Sequence, residues 1–137
     1  MNKILIASHG HLASGIQSSL KILTGLESKV SVIDAYVDEH NYVVDIRKFI
    51  EELKGETGII FTDLVGGSVN QKVILEAEGH PNVLIVSGVN LPVVLSVLLD
   101  VRPITRDVLN EIVKSSQVEI VDLKDDQDDI SDEDFLA

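Results

Sequence analysis

Four short runs rich in isoleucine, leucine and valine constrain this chain most: residues 3–8 (KILIAS), 29–34 (KVSVID), 58–63 (GIIFTD) and 82–87 (NVLIVS). At least three of them lack a clean alternation of polar and apolar side chains. That pattern belongs to parallel strands covered by helices on both faces, because neither face then meets water. The segments between them have helical spacing. Leu12, Ile16, Leu20 and Leu23 form one stripe that Gly25 ends, and Val43, Ile46, Ile50 and Leu53 form a second that Gly55 ends. A third helix is expected to begin at Ser68, where Ser68 and Gln71 have capping-box spacing, and to run through Val69, Val73 and Ala77 to Gly79. A fourth starts near Leu91 with Pro92 in its first turn, and Thr105 is placed to cap a fifth carrying Val108, Leu109, Ile112 and Val113. Residues 118–123 read as a last strand.

The alternation of strands and helices predicts an α/β fold, an open doubly wound and mainly parallel sheet with helices on both faces. Its length of 137 residues suits one domain. No internal repeat or linker interrupts residues 1–123, which are expected to form that domain, with 124–137 as an acidic tail. The tail holds seven acidic residues and one lysine, and its composition is that of a mobile segment.

The net charge of −12 argues against nucleic acid as a partner, since unspecific binding to phosphates depends on lysine and arginine. The absence of cysteine removes disulfides, thiolate nucleophiles and cysteine-based metal sites from consideration. Residues 1–9 carry too short an apolar run for a signal peptide, and the most apolar stretch, 91–99, falls well below the roughly 20 residues of a membrane span. A soluble, cytoplasmic protein is expected.

In a doubly wound sheet, ligands gather at the carboxyl ends of the strands. The first strand ends in Ser8-His9-Gly10-His11 and the third in Asp63-Leu64-Val65-Gly66-Gly67-Ser68, directly before a helix. If these strands are neighbours, His9 faces Asp63. A carboxylate that accepts one ring N–H fixes the tautomer of a histidine and leaves the other nitrogen with a lone pair able to attack phosphorus. Gly66 and Gly67 allow the backbone to approach closely, Ser68 adds a hydroxyl at a helix N-terminus that favours anions, and Gly10 gives similar access beside His9. Neither GxxxxGK[ST] nor GxGxxG occurs, so nothing points to a bound nucleotide, and no cofactor is expected. Each feature alone has a plainer explanation: a Gly-Gly-Ser segment is commonly a tight turn with a cap, and an aspartate often ends a strand. Their coincidence at two matching strand ends gives the functional interpretation its weight. His11 is expected in the first helical turn at the rim, and His40 and His80 on the surface.

Three segments together, SHG after the first strand, DLVGGS after the third and SGVNLP (residues 87–92) after the fourth, resemble the IIA domain of the mannose family of bacterial sugar phosphotransferase systems. The resemblance extends over residues 1 to about 123. It implies that His9 receives a phosphoryl group from the carrier HPr and hands it to a IIB component, in a system completed by the membrane components IIC and IID. It further implies that Asp63 orients the imidazole, that Gly66, Gly67 and Ser68 bind the phosphoryl oxygens, and that Val89, Asn90 and Leu91 lie on the neighbouring rim. The sheet order implied is 2-1-3-4, with residues 118–123 as an antiparallel strand exchanged in a homodimer. The well-known mannose member has an aromatic residue and a proline where Val65 and Val69 stand here, and a linker to a IIB domain where this chain has its acidic tail, which suggests a free-standing IIA polypeptide. The alternatives are a phosphoryl-transfer subunit serving dihydroxyacetone kinase, a small metal-dependent hydrolase using His9, His11 and Asp63, and a binding module of the same fold without chemistry. Nothing in the chain reads the sugar.

Overall fold

The computed structural model describes residues 3–123. Strands β1 (Lys3–His9), β2 (Val30–Ala35), β3 (Gly58–Thr62) and β4 (Val83–Ser87) alternate with helices α1 (Leu12–Thr24), α2 (Tyr42–Leu53), α3 (Ser68–Ala77) and α4 (Leu91–Leu99), and α5 (Arg106–Ser115) follows. A 3₁₀ turn, Glu27–Lys29, leads into β2. The sheet is all-parallel with order β2-β1-β3-β4, the order expected. The expected acidic tail, 124–137, lies outside the described residues.

The pleat divides the apolar residues between two cores. Ile4, Ile6, Ile59 and Phe61 pack with Ala13, Ile16 and Leu20 of α1, Val93, Val94 and Val97 of α4, and Leu109 and Ile112 of α5. Leu5, Ala7 and Ile60 pack on the opposite face with Tyr42, Ile46, Ile50 and Leu53 of α2 and Val69 and Val73 of α3. Ile59, Ile60 and Phe61 are consecutive and fully buried, which is why β3 shows no polar alternation. Full burial of each such side chain contributes about 1.5–3 kcal/mol relative to leaving it exposed.

Three expectations need correction. The buried stripe of α1 is Ala13, Ile16 and Leu20, while Leu12 and Leu23 are exposed. The small Ala13 faces the sheet, so the centre of the stripe is rotated about the helix axis and the two leucines fall on its margin. Ser68 does not cap α3: Gly67 is the N-cap residue, and the amide of Gln71 donates to the Gly66 carbonyl instead. The Ser68 hydroxyl is engaged elsewhere. Residues 118–123 form no strand, and Val118, Ile120, Val121 and Leu123 are exposed. A strand needs a neighbour to complete its ladder, and among the described residues the strand ladders join only β1, β2, β3 and β4. Thr105 caps α5 as expected, accepting from the Val108 N–H, and Asn41 and Asn90 cap α2 and α4 in the same manner. No helix among the described residues is long and apolar enough to cross a membrane.

Candidate functional site

In the order β2-β1-β3-β4, the connection leaving β1 runs to one side of it and the connection reaching β3 arrives on the other. The carboxyl ends of β1 and β3 therefore flank the point where the winding reverses, the usual place for a ligand crevice. β1 ends at His9, and Asp63 follows Thr62, the last residue of β3. One carboxylate oxygen of Asp63 accepts two bonds from His9, from the backbone N–H at 2.8 Å and from ring Nδ1 at 2.7 Å. The other oxygen accepts from the Leu64 N–H. Burial opposes ionisation of Asp63, whose side chain is only 8% exposed, but the bonds from His9 outweigh it and hold the carboxyl below the usual range. Asp63 is therefore an acceptor only, Nδ1 carries the proton, and Nε2 of the neutral ring keeps its lone pair.

Nε2 looks toward the start of α3, where Ser68 Oγ lies 3.3 Å away. The first N–H groups of a helix have no intrahelical acceptor, so the Ser68 and Val69 amides add anion-binding capacity at this end. Gly66 and Gly67 form the turn before α3, and their own amides have partners within it. The Gly66 N–H donates to the Asn70 side chain at 3.1 Å and the Gly67 N–H to the Leu64 carbonyl at 3.2 Å, so both amides are consumed by the turn. These residues also provide space and shape. Gly66 has φ +77°, and a Cβ on Gly67 would stand 3.3 Å from Leu64 Cβ and 3.7 Å from His9 Cε1. The Gly10 N–H is likewise committed, to the Ala35 carbonyl at 2.8 Å, and Gly10 has φ +60°.

Two further groups were not foreseen. The Tyr36 ring stacks on the His9 imidazole with centroids 5.3 Å apart, and its hydroxyl lies 2.8 Å from Ser68 Oγ and 3.2 Å from the Tyr42 hydroxyl. Asn70 is buried beneath the turn, where its amide donates to Thr62 Oγ1 at 3.0 Å and Ser87 Oγ at 2.6 Å while its carbonyl holds Gly66. Thr62 and Ser87 are register partners, so this knot ties the ends of β3 and β4 to the glycine turn.

His11 does not join His9. It pairs with a different carboxylate, Nδ1 lying 3.0 Å from Asp34 Oδ2, while Asp34 Oδ1 accepts from the Ser14 N–H in the first turn of α1. Partial burial of Asp34 is outweighed by these bonds, which lower its pKa. Among the described residues no three His, Cys, Asp or Glu side chains come together as a set of metal ligands. His40 bonds Asp45 on the surface, and the side chain of Asn90 ties the start of α4 to the Ser116 carbonyl at 2.7 Å. The Val89 N–H donates to the Thr62 carbonyl.

Residues 3–113 match the family model EIIA-man, described as the PTS system fructose IIA component. No curated protein matches the chain. Among solved structures, the PTS IIA protein associated with the fucose utilization operon of Streptococcus pneumoniae is 26% identical, with TM-score 0.71 over 84% of this chain and 88% of that one. The phosphotransferase system component EIIA of Streptococcus agalactiae is 25% identical, with TM-score 0.72 over 89% and 97%. The mannose/sorbose specific IIA subunit of Enterococcus faecalis shares the fold at TM-score 0.79, over 90% of this chain and 97% of that one, with 17% identity.

Proposed function

The chain belongs to the EIIA-man family of phosphotransferase-system IIA components, and on that premise we propose that it carries a phosphoryl group on Nε2 of His9, taken from HPr and delivered to a IIB component. The observation that supports this most is the His9–Asp63 pair, which puts the proton of the neutral ring on Nδ1 and leaves Nε2 facing the N-terminus of α3. In the forward step the Nε2 lone pair forms the new N–P bond while the bond between phosphorus and the donor nitrogen breaks, its electron pair returning to the HPr imidazole. Positive charge develops on the His9 ring, and the Asp63 carboxylate at Nδ1 balances it without taking the proton. The phosphoryl oxygens are received by the Ser68 hydroxyl and the first amides of α3. Gly66 and Gly67 shape the turn so that these donors come close, and Gly10 lets the chain leave β1 beside His9.

Delivery to IIB would feed sugar uptake through the membrane components IIC and IID, which places the chain in the cytoplasm. The exposed Val118, Ile120, Val121 and Leu123 fit a strand added to a second copy of the chain, making a homodimer. Sedimentation at micromolar concentration should give the dimer mass; a monomer would remove that part. For the carrier role, incubation with phosphoenolpyruvate, the upstream kinase and HPr should add one acid-labile, alkali-stable phosphate per chain. His9→Ala should abolish it and His11→Ala should not, because His11 faces Asp34 rather than the α3 terminus. Normal labelling of His9→Ala would sink the proposal.

A further inference from the structure

The hydrogen bonds around His9 fix the direction of a longer chain. Asp63 only accepts, so Nδ1 of the neutral ring donates and Nε2 can only accept, and the Ser68 hydroxyl is placed to donate to it. Ser68 Oγ can then only accept from Tyr36, and Tyr36 in turn accepts from Tyr42. Burial raises the pKa of Tyr42 above the ordinary tyrosine value, so Tyr42 stays protonated and serves as the terminal donor.

The distances decide which neighbour holds Ser68. At 3.3 Å the bond to Nε2 is a long one, whereas 2.8 Å to Tyr36 is near the optimum for two hydroxyls. Tyr36 therefore sets the Ser68 rotamer. Its own backbone is in the left-handed region, at φ 67°, where a bulky residue is seldom found and persists only when its surroundings hold it. The surroundings here are the stacked imidazole of His9 on one side and the Tyr42 ring, edge-on at 5.4 Å, on the other.

Building on the phosphoryl-carrier role, we propose that Tyr36 is a positioning residue for that reaction, its ring fixing the plane of the His9 imidazole and its hydroxyl aiming the Ser68 proton at the reacting nitrogen. When Nε2 becomes phosphorylated its lone pair is used up. The Ser68 proton then turns to a phosphoryl oxygen while Tyr36 keeps donating to the same Oγ, so the donor is in place before and after transfer.

Tyr36→Phe retains the ring and removes the hydroxyl, which makes it the decisive variant. In the free protein, ¹⁵N NMR of His9 should show the Nδ1–H tautomer retained, and the Nε2 resonance moved to the position it takes in Ser68→Ala. Transfer from phospho-HPr should slow about three- to tenfold, the value of one ordinary hydrogen bond. The same substitution in a Ser68→Ala background should cause no further loss. An unchanged Nε2 resonance in Tyr36→Phe, or losses that multiply in the double variant, would overturn the assignment. If the wild-type chain took no phosphate from phospho-HPr, the carrier role would fail, while the Nε2 resonance of the free protein would still decide whether Tyr36 controls Ser68.

Discussion

His9 and Asp63 meet because two parallel strands end at the same height, and the consequences of altering either are specific. Asp63→Asn preserves the shape of the side chain, but its amide can turn an N–H₂ toward the ring and favour the Nε2–H tautomer, which has no lone pair where phosphorus must arrive. The substitution should leave the fold intact and slow phosphoryl transfer by up to about 10⁴-fold, the scale seen for orienting carboxylates at other histidine sites. Rapid-quench transfer from phospho-HPr measures this, and a loss of less than about threefold would show that Asp63 does not set the tautomer. Ser68→Ala should cost less, since the amides of the first turn of α3 remain. His9 and Asp63 were legible in the sequence because each stands at a strand end marked by its own apolar run, and Ser68 because it opens the helix after the glycine pair. Tyr36, Asn70 and the partner of His11 were not. Their roles depend on a stacked ring, on the register of Thr62 with Ser87, and on the register that brings Asp34 beside β1, none of which a local pattern encodes.

At the scale of elements, strands and helices were readable because buried parallel strands leave short continuous apolar runs while amphipathic helices leave a stripe at helical spacing. Their ends were less so. The capping-box spacing of Ser68 and Gln71 is genuine, yet Ser68 is drawn to Tyr36 and His9, and Gln71 turns to the Gly66 carbonyl. The start of α3 is instead secured from below by Asn70, which joins β3, β4 and the turn. Asn70→Ala would leave the Gly66 N–H without its acceptor and strip the amide donor from the buried Thr62 hydroxyl and the half-buried Ser87 hydroxyl, so a destabilisation of about 1–3 kcal/mol is expected. Chemical denaturation measures the loss, and the loosened turn should also slow transfer. A variant as stable as the wild type would mean that the knot does not hold the turn. The segment 118–123 was read as a strand from its apolar residues, but composition cannot say whether the ladder partner lies in the same chain.

For the molecule as a whole, acidity is the condition that should test its electrostatics. Asp34 and Asp63 both have lower pKa values folded than unfolded. Each therefore contributes stability that is fully present above the unfolded value of about 3.9 and lost as pH falls through the folded value. The difference in unfolding free energy between wild type and Asp34→Asn should be largest at neutral pH and shrink below about pH 4. A difference that stayed constant down to acid unfolding would contradict the part given to Asp34. Residues 125–134 of the acidic tail add charge and include only one large apolar side chain, Ile130. Deleting 125–137 should leave Tm nearly unchanged, and a large drop would show that the tail docks. The account as a whole depends on one bond, between phosphorus and a single ring nitrogen. ³¹P–¹⁵N correlation NMR of the chain after phosphorylation by HPr tests it directly: coupling to Nε2 of His9 is the result predicted, and coupling to Nδ1 of His9 or to either nitrogen of His11 would contradict it.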